Sequence, residues 1–342
     1  MTNILALEDK SYYDNLIDFG DNVKVDYDGL RFYKKNLSKY DYIVSFTYNS
    51  DLANYIICKA NTLNISTVLL CDGIVEWSNM FNNKKMIKNG YTLFHPIIHK
   101  YFFVSGIEEN NYFKYHKHNT LKFLPKRIKV LTKKENYNYK FDFLITTANT
   151  AYFNNKEKIS LVNLLRNVIS EIEELKMTYC FRIFDNYLIK KLNINSEQNY
   201  IKGDIDYPLQ ISKSLISSPS SIILTAMSID IPVGVLNYRD YPLFLQTGWL
   251  FSGHNTRETL LSMYERNSDR LEFQRFKTKE YFENNKSISD LIKQDRLNKS
   301  AKLKKSYQYE HYAHKLLNSK FNFNFEYTLR KLFKKLKDFV SS

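Results

Sequence analysis

Short apolar runs alternate with helix-spaced apolar patterns along the first 130 or so residues of the chain. The runs are typical of strands buried on both faces, and they lie at 3–7, 22–25, 42–46, 67–70 and 101–104. The segments at 12–19, 52–63 and 107–115 have helical spacing. Strands that alternate with helices predict a parallel sheet with right-handed crossovers.

The pattern starts again after a charged, polar stretch at 133–140, which we interpret as an interdomain linker. Strands are predicted at 141–146, 177–184, 200–202 and 231–236, and helices at 158–175, 187–192, 206–214 and 219–228. The sequence therefore predicts an α/β fold with two Rossmann-like, doubly wound domains, residues 1–132 and 141–257. Residues 258–342 are expected to form a helical C-terminal region.

The last stretch, 325–340, has the pattern of a basic amphipathic helix. Phe333 lies on its apolar stripe, and the other face carries Arg330, Lys331, Lys334, Lys335 and Lys337. Such a helix fits in-plane attachment to an anionic bilayer. The same pattern also fits a terminal helix that packs back on the protein, because both settings produce an amphipathic helix.

Composition limits the classes of partner. The 342 residues carry a formal net charge of +14, which favours nucleic acid, an anionic membrane surface or anionic substrates such as nucleotide sugars. No recognition-helix, RNP-like or zinc-finger signature is present, so nucleic acid is not expected. Three widely spaced cysteines, no signal-peptide pattern and no run of about 18 apolar residues predict a cytoplasmic protein that does not span a membrane.

The stretch 214–236 predicts a strand end, a helix from Pro219 to Ser228 and a second strand. Ser218 is the expected N-cap of this helix, and Pro219 suits its first position. Ser220 and Ser221 fall in the first turn, where free N–H groups and the helix dipole favour a phosphate. Alternatively, these serines only cap a structural helix.

Acidic candidates follow the predicted strand at 67–70. In open α/β sheets ligands bind beyond the carboxyl ends of the strands, which is where Asp72 and Gly73 lie. Asp72 and, a turn later, Glu76 are therefore candidates for a general base. The alternative is an Asp-Gly turn without a catalytic role.

Two arginines lie near predicted strand ends in the second half. Arg182 and Arg239 could each bind an oxyanion through the guanidinium fork. Arg239 could instead form a surface pair with Asp240. Trp249 and Phe251 are expected in a loop that could stack on a base or seal the domain interface.

Two α/β halves joined near residue 140, with the Ser220–Ser221 helix start followed by an Ile-Pro-Val strand, resemble glycosyltransferases of the GT-B type. The resemblance implies two domains facing across a cleft, with a nucleotide sugar mainly on the C-terminal domain. It also implies an acceptor on the N-terminal domain, here near Gly73 and Trp77, and no metal or other cofactor. Asp72-Gly73, with Cys71 in place of a leading acid, and Ser220-Ser221 also resemble motifs of bacterial sialyltransferases and Kdo transferases, which use CMP-activated sugars.

The expected function is therefore transfer of a sugar, possibly CMP-activated, to a bacterial surface glycan such as capsule or lipooligosaccharide, at the inner face of the membrane. Asp72 would act as base with Glu76 as substitute. The donor phosphate would be held by Ser218, Ser220, Ser221, Arg182 and Arg239. Alternatives are an NDP-sugar 2-epimerase, a transferase that uses a CDP-alditol, and a non-enzymatic scaffold that binds polyanions at the membrane.

Overall fold

A computed structural model describes residues 1–31, 36–46, 50–83, 97–131, 138–239, 243–297 and 333. These residues form two separate parallel sheets covered by helices, so the predicted two-domain α/β fold is confirmed. Of the described helices, none has the length and apolarity needed to cross a membrane. Most of the predicted linker, and the basic helix at 325–340 apart from Phe333, fall outside the described residues.

The first sheet has six parallel strands among the described residues, in the order β2-β1-β3-β4-β5-β6. They are β1 (Thr2–Ala6), β2 (Val23–Asp26), β3 (Tyr42–Ser45), β4 (Ser66–Leu70), β5 (Tyr101–Val104) and β6 (Thr120–Lys122). The helices are α1 (Lys10–Asp14), α2 (Asp51–Thr62), α3 (Trp77–Asn82) and α4 (Ile107–Tyr115). The strand β6 was not predicted, because three residues are too few to show a period.

The second sheet has five parallel strands among the described residues, in the order β11-β10-β9-β7-β8. They are β7 (Phe141–Thr146), β8 (Tyr179–Arg182), β9 (Ser212–Ser217), β10 (Val233–Leu236) and β11 (Trp249–Phe251). The helices are α5 (Asn155–Glu174), α6 (Asn186–Lys191), α7 (Asp206–Gln210), α8 (Ile222–Ser228), α9 (Thr256–Tyr264) and α10 (Ser268–Phe282).

Three local predictions differ from the structure. Trp249 and Phe251 lie in β11 and not in a loop, and both are buried while the residue between them is exposed, as expected of a half-buried strand. The predicted strand at 200–202 is reduced to a single bridge between Phe181 and Asn199. The helix predicted at 206–214 ends at Gln210, because the next residues form β9.

The chain returns to the first domain after completing the second. The helix that follows α10 is α11 (Ile288–Leu297). Its residues Ile288, Leu291 and Ile292 pack into the core of the first sheet. Asp295 of α11 accepts hydrogen bonds from Tyr42, Ser66 and Lys100 at 3.0, 2.7 and 2.8 Å. Part of the predicted C-terminal helical region therefore completes the N-terminal core.

Candidate active site

The carboxyl ends of the two sheets meet at the turn that follows β4. The backbone N–H of Ile74 donates to Ser221 Oγ across the domain boundary at 3.4 Å. A Cβ atom on Gly73 would overlap both Ser221 Oγ and the guanidinium of Arg127. A side chain at position 73 would therefore force Arg127 and Ser221 to move, and the turn predicted to carry the base lies against the serine predicted to bind phosphate.

Asp72 is accessible at this boundary. Its side chain is 62% exposed, and Oδ2 lies 3.6 Å from Nη1 of Arg127, which follows β6. Arg127 was not predicted as a site residue, although it lies in a basic segment of the sequence. Cys71, directly before Asp72, is buried, and burial raises the pKa of its thiol, so it stays neutral at pH 7.

Glu76 and Arg239 form a buried ion pair that joins the two domains. The Arg239 side chain is 3% exposed, and its Nε also lies 3.3 Å from Glu157 Oε2. The guanidinium further donates to the carbonyl of Ala151 and lies beside the Phe153 ring. Burial lowers the pKa of Arg239 to about 10, which still leaves it charged at neutral pH.

These contacts correct two expectations. Glu76 was expected to be able to replace Asp72 as base; its carboxylate is paired with the Arg239 guanidinium and only 11% exposed, and the residue also lines the cleft beside Trp77. Arg239 was expected at the surface or on a phosphate, and its guanidinium is instead enclosed by two carboxylates and a carbonyl. The partner missing from the sequence analysis was Glu157, in the first turn of α5.

The serines of the central stretch have different environments. Ser218 is buried, and its Oγ accepts from the N–H of Ala148 at 2.8 Å, so it does not cap α8. The helix begins at Ile222, three residues later than predicted, with Ser221 as its N-cap residue. Ser220 and Ser221 are partly accessible, and the Ser221 hydroxyl points to the first domain.

Arg182 lies at the end of β8, the edge strand of the second sheet. Its guanidinium donates to the carbonyls of Tyr200 and Gly203, the latter at 2.9 Å, and stacks on Phe184. These bonds hold the loop after α6 against the sheet. They use two of the five N–H donors of the guanidinium.

Trp77 is part of an aromatic cluster between the domains. Its ring lies 5.2 Å from those of Phe81 and Tyr112, and 5.4 Å from that of Phe244 in the second domain. Together with Pro219 and neighbouring apolar residues, Trp77 lines a narrow cleft. The cleft presents an apolar wall next to the Asp72–Gly73 turn.

Glu109, in the first turn of α4, was not singled out by the sequence analysis. It is fully buried, and Tyr281 of α10 donates a hydrogen bond to its Oε1 at 2.9 Å. Burial raises the pKa of this carboxyl to about 8. Glu109 thus connects the helix after β5 to the second domain.

Comparison with known proteins gives a fold and no family. No family model and no curated protein matches the chain. Among solved structures, the chain is similar to UDP-GlcNAc 2-epimerase from Neisseria meningitidis bound to UDP-GlcNAc, with a TM-score of 0.54 and 11% identity over 87% of this chain and 99% of that one. The S. aureus MnaA–UDP co-structure gives a TM-score of 0.52 and 10% identity over 89% of this chain and 98% of that one.

A third solved structure, TarM, gives a TM-score of 0.47 and 14% identity over 76% of this chain, which spans only 55% of the length of TarM. At such identities the similarity is one of fold. The fold defined by the two sheets is shared with an epimerase bound to UDP-GlcNAc and with MnaA bound to UDP.

Proposed function

We propose that the protein is an enzyme that acts on a nucleotide-activated sugar, and that it transfers the sugar to a surface glycan. The observation that carries this proposal is the apposition of the Asp72–Gly73 turn and Ser221 where the carboxyl ends of two parallel sheets meet. Ligands of open α/β sheets bind at such ends.

The exposed carboxylate of Asp72 is the group suited to deprotonate an acceptor hydroxyl. Ser220, Ser221 and the Arg127 guanidinium lie on the sides from which a departing nucleotide phosphate would be stabilised. Stabilisation of developing charge by fixed donors contributes about 3–4 kcal/mol per donor in comparable sites. The apolar wall at Trp77 would contact the sugar or the acceptor.

A second candidate is 2-epimerisation of a nucleotide sugar without an acceptor. It is favoured by the fold shared with the UDP-GlcNAc 2-epimerase from Neisseria meningitidis, which is matched over 99% of its length. The two reactions differ in their products, because epimerisation keeps the sugar on the nucleotide and transfer releases the nucleotide.

The first experiment is a thermal-shift screen with CMP, CDP, UDP and GDP and their sugar conjugates. A ligand at about 100 times its dissociation constant adds about 2.7 kcal/mol to the free energy of unfolding, which raises Tm by several degrees. The stabilising conjugate is then incubated with the protein and followed by NMR. Release of free nucleotide identifies transfer to water or acceptor, and a new sugar isomer on the nucleotide identifies epimerisation.

Asp72→Asn tests the role of the base. We expect turnover to be lost while Tm changes little, because a substitution at an exposed side chain alters stability by no more than about 0.5 kcal/mol. Asp18→Asn is the matched control, since Asp18 is also exposed and lies 3.8 Å from a lysine, Lys126. Undiminished turnover in the Asp72 variant would remove it from the mechanism, and absence of any nucleotide-induced shift would contradict the whole proposal.

A further inference from the structure

A second, larger pocket opens on the flank of the first domain. It lies between α4, β6 and the loop that joins α10 to α11, and it encloses about 1370 Å³ of empty space, its solvent-open mouth included. None of its lining residues lines the cleft next to Asp72. The pocket is therefore separate from the candidate active site.

The lining is basic. Lys114, Lys122 and Lys286 contribute three cations, and the part of the chain that the structure describes supplies no aspartate or glutamate to the lining. The N–H of Lys286 donates to the carbonyl of Lys122 at 2.7 Å, which fixes these two residues side by side. Lysines gathered in a concave site attract anions from solution.

Acidic groups lie close to two of these lysines and offset part of their charge: Glu280 and Glu283 near Lys122, and Asp290 near Lys286. Lys122 donates a hydrogen bond to the backbone carbonyl of Glu280. Burial removes part of the water around its ammonium group and thereby lowers its pKa. The Glu280 carboxylate is paired with Lys277 at 2.8 Å. Glu283 is exposed to solvent, which screens its charge.

Four neutral amide side chains belong to the polar lining, Asn110, Asn119, Asn284 and Gln294, together with Tyr101, His118 and Thr120. Amides both donate and accept hydrogen bonds, as sugar hydroxyls do. Asn110 is more than nine-tenths buried, and its Oδ1 has no hydrogen-bond partner within the described ranges.

Size and charge restrict the occupant. Without its solvent-open mouth the pocket has a volume of about 630 Å³, which falls within the 300–1,000 Å³ or so that is typical of ligand sites and leaves room for a short oligosaccharide. The chain beyond residue 297 is itself rich in lysine and does not complement a basic pocket. A planar membrane surface does not fill a concave site.

We propose that this pocket binds an anionic oligosaccharide, through lysine contacts to its carboxylate or phosphate groups and amide contacts to its hydroxyls. The inference rests on the proposed function, since such a chain would be the acceptor glycan, held at a distance from the reacting end.

The test measures binding by calorimetry to three probes: hexagalacturonate, phosphorylated pentamannose and neutral maltohexaose. The key variant is Lys114→Gln/Lys286→Gln, because both side chains are exposed and their loss leaves the fold intact. The matched control is Lys190→Gln/Lys202→Gln, which removes two exposed lysines outside the pocket. We expect the key variant to bind one or both anionic probes about tenfold more weakly, and the control to stay within about twofold of wild type.

Carboxylate and phosphate sources are distinguished by which anionic probe binds more tightly. Equal weakening in the two variants would mean attraction to net charge and would overturn the proposal. The proposal would also be overturned if maltohexaose bound as tightly as the anionic probes, or if the anionic probes bound no more tightly than inorganic phosphate. The nucleotide-induced thermal shift, measured on the same samples, separates glycan binding in this pocket from the proposed function. Loss of glycan binding with the shift retained would refute the pocket proposal alone. Glycan binding without a nucleotide-induced shift would refute the proposed function alone.

Discussion

Replacement of Arg239 by methionine tests whether the buried charge cluster holds the domains together. Methionine keeps much of the apolar stem and removes the cation. The change leaves Glu76 and Glu157, whose side chains are 11% and 6% exposed, without their common partner. Removing one member of a buried ion pair costs about 3–5 kcal/mol, because the remaining charge is desolvated and unpaired.

The expected loss is large enough to measure by thermal and urea unfolding. An entropy of unfolding of about 2.1 cal/mol/K per residue gives about 1.4 °C per kcal/mol for this chain of 342 residues, so Arg239→Met should lower Tm by about 4–7 °C. Adding Glu76→Gln to this variant should restore part of the stability, because one of the two unpaired charges is then removed.

Arg257→Met is the matched control. Arg257 also contacts two carboxylates, those of Glu171 and Glu174 at 3.2 and 3.4 Å, but its side chain is 49% exposed. Exposed pairs contribute about 0–1 kcal/mol, so this variant should unfold close to wild type. If Arg239→Met loses no more stability than Arg257→Met, water reaches the cluster in solution and the reasoning from burial is refuted.

Three further substitutions test other buried groups. The pKa of Glu109 is raised to about 8, so its contribution to the free energy of unfolding is full below about pH 4.3 and is lost as pH rises through 8. In urea titrations at pH 8.5, Glu109→Gln should therefore be more stable than wild type. Near pH 4 the variant should lose that advantage. His99, which contacts Ser45 at 2.9 Å, has a pKa lowered to about 3, so stability falls as pH drops from about 6.5 toward 3, and His99→Gln should lessen this acid sensitivity. Asp295→Ala should lower the free energy of unfolding by about 3 kcal/mol in urea titrations, because the half-buried Lys100 loses its carboxylate; an unchanged midpoint would show that α11 does not depend on this contact.

Several correctly predicted strands are buried, but β2, whose four residues are exposed or only partly buried, was predicted as well. The runs at 3–7 and 67–70 correspond to β1 and β4 within about a residue at each end, because each contains a buried apolar run, at 4–6 and 68–70. The edge strands β6 and β11 were missed. Each has three residues, which is too few to show a local period. Whether these strands form is decided by packing across the domains or on one face of the sheet.

The candidate site was only partly predictable for a related reason. The rule that ligands bind at strand ends is local to one sheet and singled out Asp72, and the expected helix start singled out Ser221. The partners Glu76–Arg239 and Glu109–Tyr281 depend on how two domains are oriented, and the latter pair is 172 residues apart in sequence. No periodicity within either domain contains that information.

The contacts between the domains differ in the free energy needed to break them, and this difference bears on how a ligand enters. At Ser221 the domains are joined by a hydrogen bond of 3.4 Å, which is long for an N–H donor and correspondingly weak. At Arg239 they are joined by a desolvated ion pair whose separation costs several kcal/mol. A ligand that enters between the Asp72–Gly73 turn and Ser221 would therefore need to break only this weak hydrogen bond. Arg239 and the packing of α11 on the first core would meanwhile hold the two domains in their relative orientation.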